Sequence, residues 1–187
     1  MEYKEFILQQ VIRFADNCHG DQMRRYVPDR YIVHPVRVME TCRQYTNDLP
    51  TLAAALLHDV LEDTPVEKDA LADYLRSIMA EDDARRTVMI VEELTDVYIK
   101  AKYPKWNRRK RKDKEAERLA NTSAEAQTIK YADIIDNAPE IAEKDPDFAK
   151  RFLPEYRSLL KKITKGNPEL HAIAVETVKT HLEKTVP

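Results

Sequence analysis

Apolar residues recur along this chain at helical spacing almost from end to end. Phe6, Ile7, Val11 and Phe14 share one face of a first helix, which the Cys18-His19-Gly20 segment closes. A polar, arginine-rich loop follows from Asp21 to Tyr31. His34-Pro35 opens a second helix, since proline is tolerated in a first turn, and Val36, Met39 and Cys42 form its apolar side. Pro50 opens a third, predicted to run unbroken through TLAAALLHDVLED to Asp63, where Thr64-Pro65 stops it. Its positions 52–57 are apolar around most of the circumference, the pattern of a helix buried in the middle of a bundle. Two amphipathic helices are predicted over 66–80 and 83–97. A basic stretch from Lys100 to Arg118 holds a short loop with Pro104 and Trp106, then a charged helix. Thr122 and Glu125 have capping-box spacing and start the helix AEAQTIKYADIIDN, which Pro139 breaks or bends. Helices over about 147–164 and 168–184 close the bundle.

Composition sharpens this picture. The 187 residues fit one domain, 1–187, and 43% apolar content supplies a real core. Only two glycines occur, and turns of positive φ need glycine while helix interiors avoid it. The expectation is therefore a single all-α domain. A formal net charge of −2 does not mark a nucleic-acid binder, and Tyr103 and Trp106 are the only stacking candidates within the basic stretch. Cys18 and Cys42 are expected as thiols rather than as a disulfide. No apolar run has the length of a membrane span or the layout of a signal peptide, so a cytoplasmic protein without membrane contact is expected.

The chemistry gathers at the end of the third helix. Residues four apart stack on one helical face, which sets His58 beside Glu62 and Asp59 beside Asp63. Four titratable groups crowded after apolar turns repel and cost free energy unless a cation neutralises them. A divalent metal does this with imidazole nitrogen and carboxylate oxygen as ligands. His34 on the second helix and Asp133 on the late helix complete a set of two histidines and two aspartates, with Asn137 one turn beyond Asp133. Such a mixed shell suits Mn²⁺, Fe²⁺ or Zn²⁺ and leaves positions open for water and substrate. Glu62 and Asp63 would orient or deprotonate a water and later protonate the leaving oxygen. Each residue also has a plainer reading: His34 as a helix-start or core histidine, Asp133 as a surface acid, Glu62 and Asp63 as a helix end. The last sits poorly with acids at a helix C-terminus, where they oppose the dipole. His19 reads as structural, His171 and His181 as packing or surface residues.

Five ordered segments resemble the hydrolase domain of RelA/SpoT proteins and the stand-alone small alarmone hydrolases of the HD superfamily. They are HGDQMRR (19–25), YIVHPVRV (31–38), AALLHDVLEDT (54–64), ELTD (93–96) and KYADIIDN (130–137). The resemblance implies an HD-type helical bundle with a motif core over about 19–140 and C-terminal helices over 147–184. It implies Mn²⁺, or another divalent transition metal, held by His34, His58, Asp59 and Asp133. Glu62 and Asp63 would be the water-activating catalytic acids, and Arg24, Arg25 and Asn137 would hold a nucleotide. The implied reaction is removal of the 3′-pyrophosphate from ppGpp or pppGpp.

The loop departs from the family pattern. Arg25 replaces a lysine, the loop has no glycine, and Arg30 stands where a proline is usual. Ala138, Pro139 and Glu140 follow the asparagine in place of Met-Arg-Thr. Two other functions therefore stay open: an HD-type phosphatase for another nucleotide or NADPH, and a non-catalytic nucleotide-sensing module. The sequence leaves the oligomeric state, and any contact of 100–118 with substrate, undetermined.

Overall fold

The computed structural model describes residues 2–185. They gather into two compact units, one up to Thr95 and the other from Asp96 onward. Among the described residues there are helices and turns, no strand, and one isolated antiparallel bridge between Met23 and Arg30.

The first unit is built around α3 (Leu49–Leu57), against which α1 (Tyr3–His19), α2 (Val33–Arg43) and α6 (Glu81–Leu94) pack. Every side chain of α3 from Pro50 to Leu57 is buried, as its unbroken apolar circumference predicts. Asp48 caps it, accepting from the Thr51 backbone N–H at 3.0 Å and the Thr51 hydroxyl at 2.6 Å, with Pro50 in the first turn. Arg86 forks onto the same carboxylate at 3.0 and 3.1 Å. α5 (Lys68–Ile78) lies on α6, and the Tyr74 ring stacks on Phe14 of α1 at 3.9 Å.

The third helix does not run unbroken to Asp63. It stops at Leu57, His58 and Asp59 form a turn, and a single further turn, α4 (Val60–Asp63), resumes against α1. The backbone bond from the Asp63 N–H to the Asp59 carbonyl, 2.8 Å, preserves the one-turn relation between those two acids. The interruption falls where the chain passes from wholly apolar to charged residues, so continuous burial no longer holds the helix straight.

The second unit is built on α8 (Ala124–Lys144), packed by α9 (Pro146–Leu160) and α10 (Pro168–Thr185), with α7 (Arg108–Leu119) preceding them. Two expectations are corrected here. Ser123, not Thr122, caps α8 by accepting from the Ala126 N–H; the Thr122 hydroxyl instead donates back to the Leu119 carbonyl. Pro139 does not break α8, which continues to Lys144, because Ala138 and Ile141 extend its buried stripe past the missing N–H. The turn before α10 runs so close to α8 that a Cβ on Gly166 would lie 2.5 Å from the Tyr131 ring, which makes glycine obligatory there. No helix among the described residues is long and apolar enough to cross a membrane.

Candidate metal centre

The first turn of α2 and the turn after α3 bring His34, His58 and Asp59 together. Their ligand atoms all lie within 4.8 Å of one another. Both imidazoles are buried, 1% and 4% exposed, while the Asp59 carboxylate keeps 22% exposure, so the cluster is dry on its histidine side and open on its acid side. His58 Nδ1 sits 2.8 Å from the Ala55 carbonyl. A carbonyl only accepts, so Nδ1 donates there, and Nε2 is the ring nitrogen turned toward the cluster. His58 Nε2 lies 3.0 Å from Asp59 Oδ2, and His34 Nε2 stands 3.7 Å from the same oxygen. The donor set and its spacing fit a divalent ion bound by imidazole nitrogen and carboxylate oxygen.

Tyr31 ties this cluster to the acids that follow. Its hydroxyl lies 2.6 Å from Asp59 Oδ2 and 3.2 Å from Asp63 Oδ2. Partial desolvation and the neighbouring Asp59 carboxylate push the Asp63 carboxyl above its ordinary range, against the pull of Tyr31, His19 and His58. A carboxyl raised in this way suits a group that must hold and then give up a proton. Glu62 is exposed beside it, on the same short turn. His19, at the end of α1, is buried; its Nδ1 meets Gln22 Oε1 at 3.0 Å and its ring lies 4.5 Å from that of Tyr31.

Arg24 and Arg25 sit in the loop between α1 and α2. The Met23–Arg30 bridge closes this loop, with backbone bonds from Arg24 N–H to the Asp29 carbonyl and from Tyr31 N–H to the Gln22 carbonyl. Gly20, at φ 55°, supplies the left-handed turn that starts it. Arg30, which replaces the usual proline, donates to the Gly20 carbonyl at 3.1 Å and pairs with Asp16 at 2.9 Å. It therefore anchors the loop. The Arg25 guanidinium lies over the Tyr26 ring, 5.1 Å from its centre.

Asp133 and Asn137 stand one turn apart on α8 in the second unit. Asp133 is buried, with its carboxylate between the Lys130 ammonium at 2.8 Å and the Asn137 amide at 2.5 Å. Burial works to discharge Lys130, but Asp133, Tyr156 and Asp96 hold its pKa well above the ordinary value. Much of the basic stretch is occupied internally: Arg108 forks onto Glu155, Lys112 pairs with Asp96, and Lys110 caps the Trp106 ring at 4.3 Å. The buried Glu115 carboxylate accepts from the Val97 and Tyr98 N–H groups, which fixes the loop ahead of α7.

Sequence reasoning did not single out Tyr31 or Lys130. The signal for Lys130 was its i, i+3 spacing to Asp133 on one helix; for Tyr31 it was a position one turn before His34, inside a quoted motif.

The HD domain profile matches residues 31–138, and the chain belongs to the HD domain family. Over 183 residues it is 30% identical to the guanosine-3′,5′-bis(diphosphate) 3′-pyrophosphohydrolase of Vibrio cholerae, an alignment covering 95% of this chain and 23% of the relative. The protein of that name from Aquifex aeolicus is 28% identical over 186 residues, covering 94% and 23%. The chain thus spans under a quarter of the length of these curated relatives. Among solved structures it is similar to a metazoan ortholog of SpoT described as hydrolysing ppGpp. That similarity has a TM-score of 0.74 at 22% identity, covers 93% of this chain and 94% of the other, and establishes the fold.

Proposed function

We propose that this protein is a metal-dependent phosphohydrolase that removes the 3′-pyrophosphate from ppGpp-like nucleotides, with Mn²⁺ as its metal. The observation that carries the reading is the convergence of His34, His58 and Asp59, whose ligand atoms all lie within 4.8 Å of one another, the donor set of a divalent cation. The substrate follows from the relatives, whose names give guanosine-3′,5′-bis(diphosphate) 3′-pyrophosphohydrolase activity. Asp133 is assigned as a fourth ligand on the strength of its KYAD motif. In the metal-free chain its buried carboxylate accepts from Lys130 and Asn137.

When bound, the metal supplies Lewis-acid polarisation of a phosphoryl oxygen and lowers the pKa of a water. The rest falls to the chain's own groups. The reaction adds water across the bond between the ribose 3′ oxygen and phosphorus, so one proton leaves the water and one reaches the leaving oxygen. Glu62 takes the first role, being exposed and next to the cluster. Asp63, whose carboxyl is raised above its usual range, takes the second. Arg24 and Arg25 grip phosphate or base through planar guanidinium groups, and Asn137 positions the nucleoside.

The test is to incubate metal-stripped protein with ppGpp, with and without Mn²⁺, and to resolve the products by mass. The expected result is Mn²⁺-dependent GDP and pyrophosphate. Arg30, anchored to Gly20 and Asp16 in the loop that carries Arg24 and Arg25, favours as second reading an HD-type phosphatase for another nucleotide or NADPH. Hydrolysis of such an ester, with ppGpp left intact, would select it. Tight nucleotide binding with no product from any ester would instead mark a sensing module.

A further inference from the structure

We infer that Tyr31 is a positioning residue of the metal centre, whose single hydroxyl proton sets the Asp59 carboxylate against the two histidines and links it to Asp63. The inference rests on the metal-site part of the reading above and not on the choice of substrate.

Asp59 is the least constrained of the three clustered ligands. The histidines are buried, and His58 is oriented by its bond to the Ala55 carbonyl. Asp59 lies in the turn between α3 and α4, where no regular helix fixes its side chain, and it is partly exposed. The Tyr31 hydroxyl lies within 2.6 Å of Asp59 Oδ2, the oxygen that faces both His58 Nε2 and His34 Nε2. That donor fixes the rotation of a carboxylate which its place in the turn leaves partly exposed, so that one oxygen stays turned to both histidines. The tyrosine thus holds the ligand in a geometry it would otherwise leave.

The ring is itself fixed. It packs on His19 at 4.5 Å on one side and meets the edge of His34 at 5.9 Å on the other, while Gln22 holds His19. A string of contacts therefore runs from the Gln22-His19 pair, through Tyr31, to Asp59 and Asp63. It gives a physical role to the HGDQ segment, which has no other assignment in the site. One hydroxyl hydrogen cannot be donated fully to two carboxylates. The shorter contact shows that Asp59 receives it, and Asp63 at 3.2 Å is kept within reach of the same oxygen.

A donor also draws negative charge from a ligand carboxylate, which alone would weaken metal binding slightly. Loss of an outer partner that orients a ligand usually costs far more, about 10–100-fold in metal affinity. Orientation is the larger effect.

The experiment measures Mn²⁺ affinity by chelator competition, without substrate, for wild type, Tyr31→Phe and Tyr74→Phe. Tyr31→Phe keeps the ring and removes only the hydroxyl. Tyr74→Phe removes an equally structural hydroxyl bond, to the Gln10 carbonyl, away from the cluster. The expected result is affinity about 10-fold weaker or more in Tyr31→Phe, unchanged in Tyr74→Phe, with both variants melting as cooperatively as wild type. On any hydrolysed ester at saturating Mn²⁺, kcat should fall in Tyr31→Phe with KM little changed. Unchanged or tighter metal binding in Tyr31→Phe overturns the inference, as does equal loss in both variants. Failure to hydrolyse ppGpp leaves the affinity comparison intact, so the two readings fail separately.

Discussion

The two ends of α3 carry similar residues to opposite ends. At its start, Asp48 faces only donors: the Thr51 N–H, the Thr51 hydroxyl and the Arg86 guanidinium. The charge is also the sign that a helix N-terminus favours. Beyond its last residue, Leu57, carboxylates crowd together: Asp59 and Asp63 both lie at one tyrosine hydroxyl, and His58 Nε2 and His34 Nε2 converge on the same Asp59 oxygen. One end is a solved electrostatic problem that stabilises the fold. The other sets Asp63 beside Asp59, where partial desolvation and the like charge raise its carboxyl, and it is this end that the proposed metal would occupy. Unfavourable polar arrangements kept at a buried position point to function more surely than favourable ones do.

The largest break in this contrast is Asp59→Ala. Polarisation by a bound metal is worth several kcal/mol, and each 1.36 kcal/mol is tenfold in rate, so turnover should fall on the order of a thousandfold. The same variant should lose stabilisation by Mn²⁺, which for wild type is about 2.7 kcal/mol at a hundred times Kd. Thermal melts with and without Mn²⁺ read this directly. Turnover at the wild-type level in Asp59→Ala would remove the metal centre from the mechanism.

At the other end, Asp48→Ala should cost about 1–2 kcal/mol of stability, the usual loss for an N-cap, and leave Mn²⁺ affinity untouched. Its pH dependence has a definite sign. Burial opposes ionisation of Asp48, but the bonds from Thr51 and Arg86 outweigh it and lower the carboxyl below its unfolded value. The contribution is therefore complete above the unfolded carboxylate range and is lost as pH falls through the lower folded value. Urea denaturation of wild type and Asp48→Asn at neutral and acid pH should show a gap that closes on acidification. A gap that widens would mean the carboxylate is not the stabilising form.

The contrast itself was only half legible in the sequence. Helical spacing placed the helices, because a chain with two glycines and regular apolar stripes leaves little else to form. His34, His58 and Asp59 were legible as a chemical set, and the structure joins them. The break at His58-Asp59 was not, since helical periodicity continues across it while the backbone does not. The cap of α8 slipped by one residue, because Thr122 and Ser123 are equally able to cap and only tertiary placement decides which hydroxyl turns back on its own carbonyl. Tyr31 was hidden for a stronger reason. Its role depends on a hydroxyl meeting carboxylates 28 and 32 residues away, and no local pattern encodes that.

The smallest effect tests the second end most directly. The folded pKa of Asp63 lies above its ordinary value, chiefly through desolvation and next through Asp59. Stability referable to this group is therefore present at low pH and lost as pH rises through the raised folded value, because the native state must then ionise it beside Asp59. Asp63→Asn cannot ionise, yet its amide oxygen stays within reach of the Tyr31 hydroxyl. Metal-free Asp63→Asn should be more stable than wild type at neutral pH and equal to it below the carboxylate range. Exposure and solvent screening keep the gain at about 0.5 kcal/mol or less. Bound Mn²⁺ should shrink the gain further by neutralising Asp59, while catalysis suffers in the variant because its proton donor is gone. Denaturation at the two pH values, with and without Mn²⁺, separates these effects. A metal-free variant less stable than wild type at neutral pH would show that the Asp63 carboxylate is satisfied within the chain, as Asp48 is, and the contrast between the two ends would fail at that residue.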